Sequence, residues 1–286
     1  MKNRRRIGLL LSCFLLVCGM LLGLAACGAE EKNGTETNGA ESAGTGTSDT
    51  ESSSFPEEVL PSTEGLEFVL NENGESYAVK GIGTATETEI VIPAAYEGKP
   101  VTSILKKAFA DCTELTSVTI PKGVKLIGES AFENCTGLTN ITLPEGVIAI
   151  EHRVFMGCTG LTSVTLPESM TSIGVQVFDG CTGLTSATFP KSLKSIGYSV
   201  FSGCTGLTSV TLPESMTSID GHAFYNCTGL TSITIPEGVT DIFEDAFLGC
   251  TGLTDVFYGG SAEDWEKIDF WYSNDLLKSA TIHYAS

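Results

Sequence analysis

The stretch Cys158–Ile173, CTGLTSVTLPESMTSI, recurs letter for letter at Cys204–Ile219. Around the two copies, cysteines stand at Cys112, Cys135, Cys158, Cys181, Cys204, Cys227 and Cys250, each 23 residues after the last. A phenylalanine keeps step three residues ahead of each, at Phe109, Phe132, Phe155, Phe178, Phe201, Phe224 and Phe247. Self-similarity at a fixed period of a few tens of residues is the mark of a solenoid, in which each repeat is one turn of a superhelix. A stack of near-identical coils offers no obvious seat for an asymmetric active site. The sequence therefore speaks of architecture before chemistry.

In register, each coil reads C-T-G-L-T-S-V-T-L-P-x-x-V-x-x-I-x-x-x-A-F-x-x. The segment Leu161, Val164, Leu166 is β-rich, with its apolar residues on one face. Proline closes it at 121, 144, 167, 190, 213 and 236, where a residue without an N–H can end a ladder. A second apolar pair follows, such as Val124 and Ile127. The A-F-x-x-C segment is too short for an α-helix and predicts a 3₁₀ turn or tight arc. One coil cannot bury enough surface to fold alone; stacking supplies the rest. In one coil Ala187 takes a Val or Ile place and Phe189 a Leu or Ile place, so lost and gained volume nearly offset.

The ends differ. Leu66–Leu70, a turn at Asn71–Gly74 and Ser76–Lys80 predict a β-hairpin cap. Glu89–Ile92 enters an irregular first coil, with Ala94–Pro100 as an insertion. At the far end Ser261-Ala262-Glu263-Asp264 predicts an N-capped short helix with Trp265 and Ile268 on one side. Trp271, Tyr272 and a strand Ala280–Tyr284 complete an aromatic cap, read as core cover.

Before the repeats, Lys2, Arg4, Arg5 and Arg6 precede a mostly apolar run, Ile7–Leu22, of the length of a signal h-region. It ends in Leu24-Ala25-Ala26-Cys27-Gly28, which resembles the lipobox of bacterial lipoproteins. That resemblance implies diacylglyceryl modification of Cys27 and removal of residues 1–26. The run is short for a spanning helix. Residues 28–62 are Glu, Gly, Ser, Thr and Asn with almost no large apolar residue, the composition of a disordered tether. The organisation predicted is 1–26 signal peptide, 27–62 lipidated Cys and tether, 63–100 hairpin cap and first coil, 101–258 repeats, and 259–286 closing cap.

The 286-residue chain sums to −19, and loss of one Lys and three Arg with the signal leaves −23. Such a surface does not suit nucleic acid, whose affinity comes from neutralising phosphates. It also argues against a basic membrane-binding patch.

The pattern C-x-x-L-x-x-(V/I)-x-(L/I)-P-x-x-(V/M)-x-x-I-x-x-x-(A/V)-F at period 23 resembles the BspA-like class of bacterial leucine-rich repeat proteins, from about Ile90 to Val256. The resemblance implies a leucine-rich repeat solenoid of the α/β horseshoe class, strand-rich with short 3₁₀ turns, of about seven to eight coils. It also implies a bacterial surface location and binding of proteins on host or neighbouring cells. It names no individual partner.

Candidate chemistry is thin. In-register thiols one strand spacing apart lie inside the disulfide range, yet they point the same way and seven is odd. A metal needs ligands around it, and a straight column does not converge. Buried structural thiols are the expectation. His152 and His222 stand three coils and one residue apart, roughly 14 Å at the strand spacing, too far for a relay. No nucleophile-elbow, zinc-protease or phosphate-loop pattern occurs. No enzyme activity, metal or cofactor is expected. Glu145, Glu168, Glu214 and Glu237 share a column read as a solvated edge, and the Ser/Thr outward positions of the strands, such as Thr165 and Thr188, read as ordinary exposed strand residues.

Variation is concentrated between the Ile and Phe columns: Lys106-Lys107, Glu129-Ser130, His152-Arg153, Val175-Gln176, Tyr198-Ser199, Gly221-His222 and Glu244-Asp245. Met156, Tyr225 and Leu248 follow the Phe. Aromatic and Arg side chains are the usual anchors of protein interfaces. The candidate binding edge is therefore His152, Arg153, Met156, Val175, Gln176, Tyr198, His222 and Tyr225; drift in unconstrained loops explains the same variation. The expected function is non-catalytic protein binding or adhesion by a lipid-anchored surface protein. A passive envelope spacer is the alternative, and a glycan- or ice-type lattice on the strand face a remoter one.

Overall fold

The structure, a computed structural model, describes residues 61–285. It opens on a hairpin of β1 (Glu67–Leu70) and β2 (Tyr77–Gly81), followed by β3 (Glu89–Val91), β4 (Ala95–Tyr96) and β5 (Lys99–Ile104). Strand pairs then repeat: β6 (Ser117–Thr119) and β7 (Leu126–Ile127), β8 (Asn140–Thr142) and β9 (Ala149–Ile150), β10 (Ser163–Thr165) and β11 (Ser172–Ile173). Next come β12 (Ser186–Thr188) and β13 (Ser195–Ile196), β14 (Ser209–Thr211) and β15 (Ser218–Ile219), β16 (Ser232–Ile235) and β17 (Asp241–Ile242). The far end adds β18 (Asp255–Tyr258), α1 (Ala262–Trp265), β19 (Asp269–Phe270), α2 (Asp275–Ser279) and β20 (Thr281–Tyr284).

Each regular coil therefore contributes a longer strand, a shorter strand and the Phe–Cys arc. Pairing is parallel and in register at the 23-residue offset, as in Ser163↔Ser186 and Ser218↔Asp241. The longer strands β3, β6, β8, β10, β12, β14, β16, β18 and β20 make about nine turns. Seven carry a Phe–Cys arc; the closing turns have none, which is why the cysteine period counts fewer.

The core is a set of columns. Consecutive Phe rings from Phe109 to Phe247 stack with centroids 5.2–5.7 Å apart and planes within 18°. All seven are fully buried. Phe189 fills its place by meeting Phe201 edge-on at 5.7 Å, while Ala187 beside it is only half-buried. The ladder of longer strands is interrupted between β12 and β14, as it is between β8 and β10.

The cysteine column has a specific partner. Sγ of Cys135, Cys158, Cys181, Cys204, Cys227 and Cys250 each donates to the carbonyl of the Phe 26 residues earlier, at 2.9–3.1 Å. That carbonyl also accepts the N–H of the Cys in its own coil, as Phe155 does from Cys158 at 3.1 Å. A carbonyl has two lone pairs, and the thiol occupies the second. Burial pushes these thiols well above their ordinary value, at Cys135, Cys158, Cys181 and Cys204 alike. Cys112, the first, is half-buried and reaches only Ala110 O at 3.9 Å.

The glycine of C-T-G marks close approach between coils. A Cβ at Gly137, Gly160, Gly183, Gly206, Gly229 or Gly252 would lie 2.2–2.6 Å from the Thr carbonyl 24 residues earlier. The column starts as Glu114, where no earlier Cys-Thr turn lies beneath. The Thr of L-T-S extends the ladder with its hydroxyl, as Thr185 Oγ1 donating to Thr162 O at 3.0 Å.

The caps follow the sequence reading in part. Ser261 and Asp264 form a capping box on α1, and Trp265, Ile268 and Leu277 are buried. Trp271 and Tyr272 are not core cover: Trp271 rests on Phe243 at 5.1 Å yet is 40% exposed, and Tyr272 is 69% exposed. The buried positions at that end are already filled by Trp265, Ile268 and Leu277. Cys27, the signal segment and the tether up to residue 60 lie outside the described residues.

Candidate functional site

The variable edge is built by the Phe arc. Backbone N–H groups there alternate in direction: Arg153, Phe155 and Gly157 donate to Val175, Val177 and Asp179 of the next coil, while Met156 and Cys158 close local turns on Arg153 and Phe155. The arc is thus a run of single turns stitched to the neighbouring coil, in place of a continuous 3₁₀ segment. Such alternation requires left-handed backbone at two places. One is the column Lys107, Ser130, Arg153, Gln176, Ser199, His222, Asp245, with φ of 55–58°. The other is Asp111, Asn134, Gly157, Gly180, Gly203, Asn226, Gly249, with φ of 56–81°.

The second column contains only Gly, Asn and Asp, the residues that tolerate this conformation best. That restriction is visible in the sequence and was the available signal for the arc. In the first column side-chain type and burial both vary, from exposed Lys107 and Arg153 to buried Ser130 and Ser199, although the backbone does not.

The structure divides the candidate residues into two groups. In the first, His152 Nδ1 accepts the N–H of Val175 at 2.9 Å. Arg153 Nε donates to Gln176 Oε1 at 3.0 Å, and Gln176 Nε2 donates to Asp179 Oδ2 at 3.0 Å. Met156 and Val175 are half-buried beside them. These side chains bridge coils and are partly committed to one another.

In the second group Tyr198, 44% exposed, tilts against His222 at 5.0 Å, and His222 against Tyr225 at 5.3 Å. His222 Nε2 lies 3.5 Å from Asp245 Oδ2, and its buried Nδ1 has no hydrogen-bond partner. Of the carboxylates around this cluster, Glu244 stands in the variable column of Tyr198, whereas Asp220, one place before Gly221, carries no signal in the sequence. His283 belongs elsewhere: it pairs with Asp255 at 2.7 Å and stacks on Phe257 in the closing cap.

Burial pushes the Asp220 carboxyl up to about 6 from an ordinary 3.8; the Glu244 charge adds to the rise and a Ser218 hydrogen bond opposes it. A carboxyl raised on folding stabilises most below its unfolded value, and that stability is lost as pH rises through the folded one. Asp220→Asn should therefore be more stable than the parent by about 1–2 kcal/mol at pH 7.5, after allowance for partial solvent screening, and equal to it at pH 3.5. Urea denaturation at the two pH values checks this; an equal gain at both would remove Asp220 ionisation as the cause.

On the opposite, strand-bearing face the ladder is interrupted between β8 and β10. A hollow of about 500 Å³ lies there, lined by Asn140, Thr142, Glu145, Ser163, Thr165 and Pro167. Among the described residues no group of three or more His, Cys, Asp or Glu is placed to hold a metal ion, and no helix is long and apolar enough to cross a membrane.

The profile of the BspA type leucine rich repeat region matches six copies over residues 87–192 and 148–278. The chain belongs to that family. The fold of this BspA-type chain is shared by solved leucine-rich repeat structures. It is similar to the T. pallidum leucine rich repeat protein TpLRR, with 25% identity, 78% of this chain and 97% of that one covered, and a TM-score of 0.51. A leucine-rich repeat protein from Eubacterium ventriosum shares the fold at 23% identity, with 71% and 50% of the two chains covered and a TM-score of 0.50. No curated protein matches the sequence.

Proposed function

We propose that this BspA-type protein is a non-catalytic binding module, held at the outer face of a bacterial membrane by lipid on Cys27, that grips protein ligands on host or neighbouring cells through its variable edge. The observation that carries the reading is the contrast within one coil. Stack-facing columns repeat almost unchanged, while the edge presents Arg153, Tyr198, His222 and Tyr225 on a backbone that is the same in every arc. Differences among edge side chains on a constant frame provide the chemical variety a specific interface needs. The strand face offers repeated Ser and Thr, which distinguish partners poorly.

The anchor is tested directly. Cys27→Ser should move the protein from the membrane fraction to the medium, and mass spectrometry of the native N-terminus should find an acylated Cys27. An unmodified chain starting elsewhere would remove the anchor.

The edge is tested by capture of matrix and cell-surface glycoproteins on immobilised residues 63–286. Arg153→Ala with Tyr198→Ala should lower affinity for the captured protein by at least about 30-fold, since anchor truncations of this kind cost about 2 kcal/mol or more. Its melting temperature should change little. Thr165→Ala with Thr188→Ala should bind as the parent does. The hollow beside Thr165 supports a second reading, in which the strand face binds; loss of binding in the threonine pair with retention in the edge pair would decide for it. No capture at all would leave the passive spacer.

A further inference from the structure

The column directly before the left-handed residue of each arc reads Lys106, Glu129, His152, Val175, Tyr198, Gly221, Glu244. Six members carry side chains; Gly221 carries none. A Cβ built on Gly221 would lie 3.4 Å from Tyr198 Cε2, 3.2 Å from the Glu244 carbonyl oxygen and 3.5 Å from the Glu244 carboxyl carbon. An aromatic ring from the preceding coil and a carboxylate from the following one therefore close over the same point of backbone. Any side chain at Gly221 would stand between them.

The surroundings repeat this combination. His222 holds its ring between Tyr198 and Tyr225, at 5.0 and 5.3 Å. Asp245 lies 3.5 Å from His222 Nε2, and the half-buried Asp220 feels the Glu244 charge. Among the described residues the histidine ring is the one basic group paired with this carboxylate trio. Three tyrosine and histidine faces thus sit among three carboxylates with no lysine or arginine to balance them.

We propose that Tyr198, His222 and Tyr225, together with Glu244 and Asp220, receive a basic side chain, a lysine or arginine carried by an exposed segment of a protein partner. The inference deepens the proposed binding role of the edge and rests on it. A cation is attracted to the electron-rich face of an aromatic ring, most strongly when a carboxylate also reaches it. Arginine fits best, because its planar guanidinium stacks on the ring while its fork of donors meets the carboxylate. The chain's net charge of −19 draws such a segment in and disfavours acidic ones. A neutral sugar could stack on the same rings, but it would leave the mutual repulsion of Glu244 and Asp220 unrelieved.

The test is fluorescence anisotropy of the full chain with a labelled Gly/Ser peptide carrying two arginines, at physiological salt. The same peptide with citrulline at both places and a chitin tetrasaccharide are run beside it. The arginine peptide should bind saturably, and the citrulline peptide at least tenfold more weakly. Glu244→Gln alone, and Glu244→Gln with Tyr198→Ala, should each weaken the arginine peptide tenfold or more. Glu145→Gln with Glu168→Gln removes charge from the solvated edge and should change it less than twofold.

Equal weakening by the two sets of variants would show attraction by overall charge alone and overturn the site. So would equal binding of the citrulline peptide, or binding of the saccharide without the peptide. If the arginine peptide fails while Arg153→Ala with Tyr198→Ala still lowers capture of the natural partner, this inference falls and the edge reading stands.

Discussion

Phe178→Ala, at the middle of the ring stack, is expected to cost about 3–5 kcal/mol, the range for emptying a fully buried aromatic site. Phe178 touches two equivalent rings, Phe155 at 5.5 Å and Phe201 at 5.4 Å. Its backbone N–H also donates to Val200 of the next coil at 2.9 Å, so the arc cannot collapse into the cavity without breaking an inter-coil bond. Because a repeat array is coupled mainly through nearest neighbours, the loss should appear at one junction and split the unfolding transition into two. Urea titration followed by far-ultraviolet circular dichroism measures both effects. A single transition with the parent's urea midpoint would show that the ring column does not hold the coils together.

Gly183→Ala is expected to be the other large loss, though it adds only one methyl group. The new Cβ would stand 2.4 Å from Thr159 O and 3.3 Å from Leu161 O, both backbone atoms of the coil beneath. Neither can rotate away, so the coils must separate locally, and overpacking of this kind costs about 1–3 kcal/mol or more. Gly197→Ala is the control. Its Cβ would meet Ile173 O at 3.4 Å and Val200 Cγ2 at 3.6 Å, close to ordinary contact. That variant should be neutral or slightly stabilised, since alanine narrows the unfolded ensemble. Comparable destabilisation of both would mean that the C-T-G glycine serves the flexibility of the turn, with no role in coil spacing.

The two predictions also separate what could be read early from what could not. The period of 23, the Phe and Cys columns, the strand before each proline and the hairpin and helix caps follow from residue type and spacing. The columns and strands are legible because each repeat faces the same neighbours as the last, so a requirement imposed by packing is written again in each coil; the caps rest on their own turn and N-cap residues. Periodicity turns one chain into its own set of comparisons.

The purpose of the glycine and thiol columns was less accessible. Sequence spacing shows that Gly183 recurs, but the Thr159 carbonyl that excludes a side chain is 24 residues away. Spacing predicts a buried structural thiol; the structure gives it a carbonyl partner 26 residues earlier. Both depend on contacts across the stack, which no single coil contains.

The edge lay between these cases. Its variability marked it, whereas the left-handed backbone of its Gly, Asn and Asp column came from the structure. The sequence nevertheless grouped His152 and Arg153 with Tyr198 and Tyr225 as one surface. Inter-coil hydrogen bonds engage the first pair with Val175 and Gln176, whereas the tyrosines close around His222.

By itself, then, the sequence determined that the chain is a repeat solenoid and which columns form the core. These are properties of local spacing and of apolar burial repeated at one interval. The structure extends the seven to eight coils expected to about nine turns. Only the tertiary structure decided which edge residues meet, that Trp271 and Tyr272 stay exposed, and that Gly221 brings the Tyr198 ring beside the Glu244 carboxylate. The reason is geometric: neighbours in a solenoid are one whole turn apart in sequence, and a side chain's reach toward the next coil depends on the backbone angle at its own.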